Sequence, residues 1–178
     1  MKNDWDPACL DVRAFARAGG HLQGEQSLSH WRRLAQEAID PQALVAWQMT
    51  GRTQAVTGGA DQVWLDLVAD VVMTLTCQRC LGPVACPMRV ERSFRFVADE
   101  TVAAQEDEEA EEDVLVWSAR FDALALLEDE LIMDLPMIPM HEACQGERVL
   151  TSEEKSVPEE KRPNPFAVLS ALRRDKGG

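Results

Sequence analysis

Two short stretches hold the residues best suited to chemistry. Cys77-Gln78-Arg79-Cys80 has the two-residue spacing at which both sulfurs of a tight turn can reach one zinc ion. His141-Glu142-Ala143-Cys144 offers a second pair at the same spacing from a different part of the chain, and Cys86 stands near the first pair as a spare. If the halves meet, Cys77, Cys80, His141 and Cys144 form a Cys₃His set, but spacing alone does not bring them together. Two other readings stay open. A redox pair needs a thiol of lowered pKa, usually at a helix N-terminus, whereas this pair falls at a strand end. Small buried cysteines on apolar strand faces are the third reading, which fits Cys77, Cys86 and the solitary Cys9.

No catalytic set accompanies them. His21, His30 and His141 are far apart in sequence, and no serine has a nucleophile-elbow or phosphate-cradling context. Glu128, Asp129 and Glu130 follow one another directly, so on a helix they point around it and read as a solvated face. The expectation is a protein that is not an enzyme and has no small-molecule substrate. The start MKNDWDPACLDV lacks a basic stretch leading into an apolar run, and no segment reaches the ~18 apolar residues of a membrane span, so a cytoplasmic chain without membrane contact is expected. Five cysteines in such a chain read as thiols or metal ligands before disulfides.

The net charge of −13 argues against tight phosphate binding. Much of it comes from residues 99–113, DETVAAQEDEEAEED, which hold nine carboxylates and no base and read as a disordered acidic loop. The alternative is an RNA mimic or a docking tail for a basic protein. Candidate RNA contacts are Arg79 in the cysteine turn, Arg89 and Arg95 on the outward face of a strand, and Lys161, Arg162, Arg173, Arg174 and Lys176 near the C-terminus. Tyr is absent and the Trp and Phe residues fall mainly on expected core faces, so a stacking platform for single-stranded RNA has little support. The charge favours a protein partner, such as a basic ribosomal protein.

These residues need elements to position them. From Val63 to Cys77 every second residue is apolar, which predicts a long half-buried strand. After the turn, Val84, Cys86, Met88, Val90, Phe94 and Phe96 predict its antiparallel return. Such a length, ~50 Å at ~3.3 Å per residue, suggests a bend or a bulge. Val45, Trp47 and Met49 predict an earlier strand, joined through Thr57-Gly58-Gly59-Ala60. Helices are expected in SLSHWRRLAQEAID, in FDALALLEDELIMDLP with Asp122 as cap, and in RPNPFAVLSALRR with Asn164 as cap and Pro165 at the first position. The fold class is α+β, an antiparallel β-meander that could close towards a barrel, flanked by helices. One domain is expected over residues 1–144, followed by a linker at 145–164 and a C-terminal helix at 165–174.

Four blocks in order, CQRCL at 77–81, the acidic run, FDALALLEDELIMDLPMIPMHEAC at 121–144 and RPNPFAVLSALRR at 162–174, resemble the YceD family of bacterial large ribosomal RNA subunit accumulation proteins. The resemblance covers most of the chain from about residue 60, with weaker echoes in LDVRAFARAGGHLQG near the start. It implies a role in synthesis, processing or stability of 23S ribosomal RNA, with ribosome-assembly or rRNA-processing proteins as partners and rRNA contacted directly or indirectly. It implies no catalytic mechanism. Relatives in other bacterial groups carry a second cysteine pair near the position of Cys144. This chain offers only Cys144 and His141 there, which suggests that metal binding has been lost while the turn remains. The alternative function is a small zinc- or thiol-dependent binding module centred on Cys77 and Cys80.

Overall fold

The period-2 alternation builds the longest elements. Strands β3 (Gln62–Thr76) and β4 (Pro83–Val97) pair antiparallel from Val63↔Phe96 to Thr76↔Pro83 without interruption, so of the bend or bulge expected, the bulge is absent. Strand β2 (Leu44–Gln54) pairs antiparallel with β3, and β1 (His21–Ser27) with β2. A fifth strand, β5 (Asp113–Val116), lies parallel to β4. The order is β1-β2-β3-β4-β5 with β1 and β5 as edges, so the meander is an open mixed sheet and does not close into a barrel. The α+β class expected from the sequence holds.

This computed structural model describes residues 5–107, 110 and 112–144. The chain divides into two units, Met1–Gln145 and Gly146–Gly178. The linker expected at 145–164, the helix expected at 165–174, and Lys161, Arg162, Arg173, Arg174 and Lys176 lie outside the described residues.

One face of the sheet carries the core. Val63, Leu65, Leu67, Ala69, Val71, Met73, Leu75 and Cys77 are buried, as their alternation requires. Helix α1 (Val12–Arg17), capped by Asp11 accepting from the Ala14 amide at 3.0 Å, packs on β2 and β3 through Phe15. It can approach so closely because Gly51 has no side chain: a Cβ there would sit 2.6 Å from the Phe15 ring and 2.8 Å from the Ala16 Cα. Helix α4 (Ala123–Met133) starts at Asp122, whose carboxylate accepts from the Ala125 amide at 2.8 Å. Its Leu127 and Leu131 are fully buried in the same core. Burying each such side chain is worth about 1.5–3 kcal/mol.

Three expectations are revised. The segment around Trp31 is not one helix but a 3₁₀ turn (Leu28–His30) and a short α2 (Leu34–Glu37). Ser27 caps the first piece, Trp31 leaves helical geometry, and both Trp31 and Leu34 reach the core. The second revision explains the break. Glu128 and Glu130 are not on a solvated face but nearly buried. The Glu128 carboxylate accepts from the Arg33 and Leu34 amides at 2.7 and 3.1 Å and from the Arg33 guanidinium at 3.0 and 3.1 Å. A carboxylate from α4 thus supplies the N-cap of α2. Glu130 faces Arg92 at 3.3 Å. The third lies in the acidic stretch. Glu100–Asp107 forms helix α3, with Asp99 accepting from the Val102 amide at 3.0 Å, and Glu106 and Glu112 bond the buried Arg95. A buried guanidinium gives that run an ordered partner, which its composition does not reveal.

Glu128 gives a test of stability. Burial alone would raise its pKa, but the Leu34 and Arg33 amides and the Arg33 guanidinium outweigh burial, and the net displacement is downward. Its contribution is therefore complete above the unfolded carboxyl value near ~4.3 and disappears as pH falls through the lower folded value. Glu128→Ala should cost about 2 kcal/mol at neutral pH, since two amides lose their acceptor. Urea unfolding at several pH values should show the gap to the unsubstituted protein narrowing in acid.

Candidate metal centre

The hairpin turn between β3 and β4 folds back on itself. The Cys77 amide donates to the Gly82 carbonyl at 2.9 Å and the Leu81 amide to the Cys77 carbonyl at 2.8 Å. The chain leaves α4 through Pro136 and Pro139 and runs along this turn, where the Gln78 amide donates to the Pro139 carbonyl at 2.8 Å. The Arg79 guanidinium donates to the His141 carbonyl at 2.7 Å and reaches the Glu142 carbonyl at 3.5 Å. These bonds join the two halves that sequence spacing leaves apart.

The result is a four-donor cluster. The ligand atoms of Cys77, Cys80, His141 and Cys144 all lie within 4.8 Å of one another. Cys77 Sγ is 3.7 Å from Cys144 Sγ; His141 Nδ1 is 3.4 Å from Cys80 Sγ and 3.8 Å from Cys144 Sγ. A tetrahedral zinc ion with ordinary bond lengths has S···S edges of about 3.8 Å and S···N edges of about 3.6 Å. The cluster could hold a metal ion of that size.

The donors are also in suitable states. His141 Nε2 lies 2.9 Å from the Pro83 carbonyl oxygen. A carbonyl can only accept, so Nε2 carries the proton and, in the neutral ring, Nδ1 turns its lone pair towards the sulfurs. The Cys77 thiol is lowered to about 5, first by the Cys80 amide, against burial, with the His141 and Arg79 amides adding to the effect. The Cys144 thiol is pushed up by burial and then by the neighbouring Cys80 and Cys77 sulfurs. Sulfurs this close cannot all become thiolates without a cation between them.

The other cysteines stand apart from the cluster. Cys86 is half-buried opposite Met73, with its thiol raised by burial. Cys9 is exposed, against the expectation that it packs as a small buried residue.

Of the arginines expected to contact RNA, the three among the described residues, Arg79, Arg89 and Arg95, have partners inside the domain. Arg79 clamps the turn. Arg89 donates to both Asp70 carboxylate oxygens, at 2.9 and 3.0 Å. Arg95 does not face solvent: β5 and α3 cover its strand end, its side chain is 8% exposed, and Glu112 at 2.6 Å and Glu106 both accept from it. Arg33, Arg52 and Arg92 also pair with carboxylates.

The sequence reading missed Leu81. It adopts φ +61° and is 75% exposed. Left-handed geometry costs a non-glycine residue about 1–2 kcal/mol, so neither backbone preference nor burial accounts for a leucine there. A bulky residue directly before Gly82-Pro83 in a tight turn is the signal that could have singled it out. No helix among the described residues is long and apolar enough to cross a membrane.

Residues 65–173 match the family model described as large ribosomal RNA subunit accumulation protein YceD. A protein of Haemophilus influenzae with that same name is 30% identical over 177 residues, spanning 94% of this chain and 95% of its own. No solved structure matches.

Removing one arginine at a time should separate the two environments. Arg95→Ala strands two carboxylates beside a buried cavity, and should raise amide exchange across Glu100–Asp107 and Asp113–Val116 and lower stability by about 2–4 kcal/mol. Arg89→Ala, at an exposed pair, should change stability by less than about 1 kcal/mol. Hydrogen exchange with urea unfolding measures both.

Proposed function

We propose that this chain, which belongs to the YceD family of large ribosomal RNA subunit accumulation proteins, is a noncatalytic cytoplasmic factor that supports 23S ribosomal RNA through protein partners. The observation that carries the biological role is the family match, with its relative aligned over nearly the full length of both chains. What favours protein over RNA as the direct contact is electrostatic. The net charge is −13, and Arg33, Arg52, Arg89, Arg92 and Arg95 are each neutralised by a carboxylate within the domain. Phosphate binding would have to break those pairs before gaining counterion release. A basic ribosomal protein or processing factor meets an acidic surface with no such cost, and complementary charge speeds the encounter.

The same reading gives Cys77, Cys80, His141 and Cys144 a structural role with zinc as the metal. A bound zinc ion would neutralise the thiolates and tie the hairpin turn to the 139–144 segment. Nothing in the set needs an open coordination position, which is what separates structural from catalytic zinc. The second reading, a thiol-dependent module, draws on the lowered Cys77 thiol, but that sulfur is fully buried and poorly placed for an external substrate.

Two measurements test these proposals. Deleting the gene should lower 23S relative to 16S RNA, and an unchanged ratio with normal precursor processing would sink the reading. Purified protein should carry one zinc per chain by elemental analysis. Cys80→Ser or Cys144→Ser should lose metal, and chelation should lower the melting temperature and free the 139–144 amides to exchange. Metal-free protein with the same melting temperature and protection would remove zinc from the account.

A further inference from the structure

The two segments that meet at the cysteine cluster also carry apolar side chains left exposed among the described residues. Leu81 is 75% exposed, Met137 97%, Ile138 62% and Met140 50%, and Met133 at the end of α4 is 75% exposed. The bond between the Gln78 amide and the Pro139 carbonyl holds the Leu81 turn beside the Met137–Met140 run. Single exposed apolar residues are ordinary, but a run of them rimmed by polar groups marks an interaction surface. Methionine suits such a surface because its flexible thioether adapts to the partner.

The rim decides the partner. Residues 128–142 include five carboxylates and neither Lys nor Arg. Glu128 and Asp129 pair with Arg33, and Glu130 with Arg92. Asp134 and Glu142, which bracket Met137, Ile138 and Met140, are exposed and form no ion pair among the described residues. Arg79, the cation nearest in the turn, is turned onto the His141 and Glu142 carbonyls. Asp134 lines a concavity with Arg89 and Arg92, which already pair with other carboxylates, so an apolar run flanked in sequence by Asp134 and Glu142 disfavours a phosphate backbone and a second copy of itself.

We infer that Leu81, Met137, Ile138 and Met140 form a docking surface for a protein segment that interleaves apolar side chains with Lys or Arg. This deepens the proposed function and rests on its protein-partner reading. The apolar side chains fill the methionine-rich patch, and the cations settle on Asp134 and Glu142. The cysteine cluster holds the two halves of the surface in register.

The test uses the full-length protein as purified and short labelled peptides followed by fluorescence anisotropy. A peptide with Leu and Lys at amphipathic-helix spacing should bind, whereas its Leu/Glu and Ser/Lys counterparts should not. The double substitution Met137→Glu with Ile138→Glu should weaken binding at least about tenfold, while Val72→Glu on the opposite sheet face should leave it unchanged. Circular dichroism and metal content check that the variants fold. Asp134→Lys with Glu142→Lys gives an independent arm, and should lose the Leu/Lys peptide and gain the Leu/Glu one. Equal binding of the Ser/Lys peptide, retention of the Leu/Lys peptide by the double variant, an RNA oligonucleotide bound through these residues, or a dimer abolished by the double variant would each overturn the inference. In cells, a double variant that restores the 23S:16S ratio as well as the unsubstituted chain would also overturn it, leaving the broader role standing. If deletion itself leaves that ratio unchanged, the broader role fails whatever the peptides do.

Discussion

The uninterrupted ladder between β3 and β4 is the constraint on which everything else depends. Fourteen consecutive pairs fix which residues face the helices, and they also fix what happens at both ends of the hairpin. At one end the inward parity of β3 runs on to Cys77, so its sulfur is buried where Cys144 can reach it. Towards the other end Arg95 takes the opposite parity and emerges beneath α3. A slip of one residue would reverse one strand against the other, turning either Cys77 to solvent or the arginine into the core. Because the core face holds Leu65, Leu67, Ala69 and Met73, each fully buried, such a slip would expose most of the apolar area that stabilises the domain.

The acidic composition has a second, internal role. Many of the carboxylates that give the chain its charge are the partners that let arginines lie on or under the sheet. Glu128 caps α2 while bonding Arg33, Glu130 bonds Arg92, Asp66 and Asp70 bond Arg52 and Arg89, and Glu106 and Glu112 bond Arg95. Exposed members such as Arg89–Asp70 add little stability, but the half-buried ones hold separate elements together. The domain is therefore acidic on balance and also poor in free cations where its strands are broadest.

The sequence made legible whatever local periodicity determines. The long strands are legible because an apolar residue at every second position over fifteen residues favours a strand, and α4 because Asp122 precedes an apolar stripe. Strand β1 was missed because HLQGEQS lies at an edge with few apolar side chains, and β5 because four residues carry no pattern. The break at Trp31 was illegible because its cause, Glu128, lies ninety-five residues from Arg33. For the same reason alternation assigned Arg95 to the outer face correctly yet could not show that an acidic helix covers it. The four metal-ligand candidates were readable as two pairs; their meeting depends on the bonds from Gln78 and Arg79, which no spacing rule anticipates.

A histidine in place of a fourth sulfur need not mean a lost site. Three thiolates and a neutral imidazole leave a zinc centre with one fewer negative charge than four thiolates would. In a domain that is already strongly acidic, with Glu142 adjacent, that difference would lower the repulsion at the site if it were filled. The imidazole is also held by a contact that a cysteine could not make, since its second nitrogen reaches the Pro83 carbonyl across the hairpin. That bond ties the 139–144 segment to the start of β4 and would orient the ring towards a metal bound by the cluster. A cysteine at position 141 would keep a sulfur donor and forfeit the tether, so His141 could serve a bound metal as a fourth donor while fastening the segment.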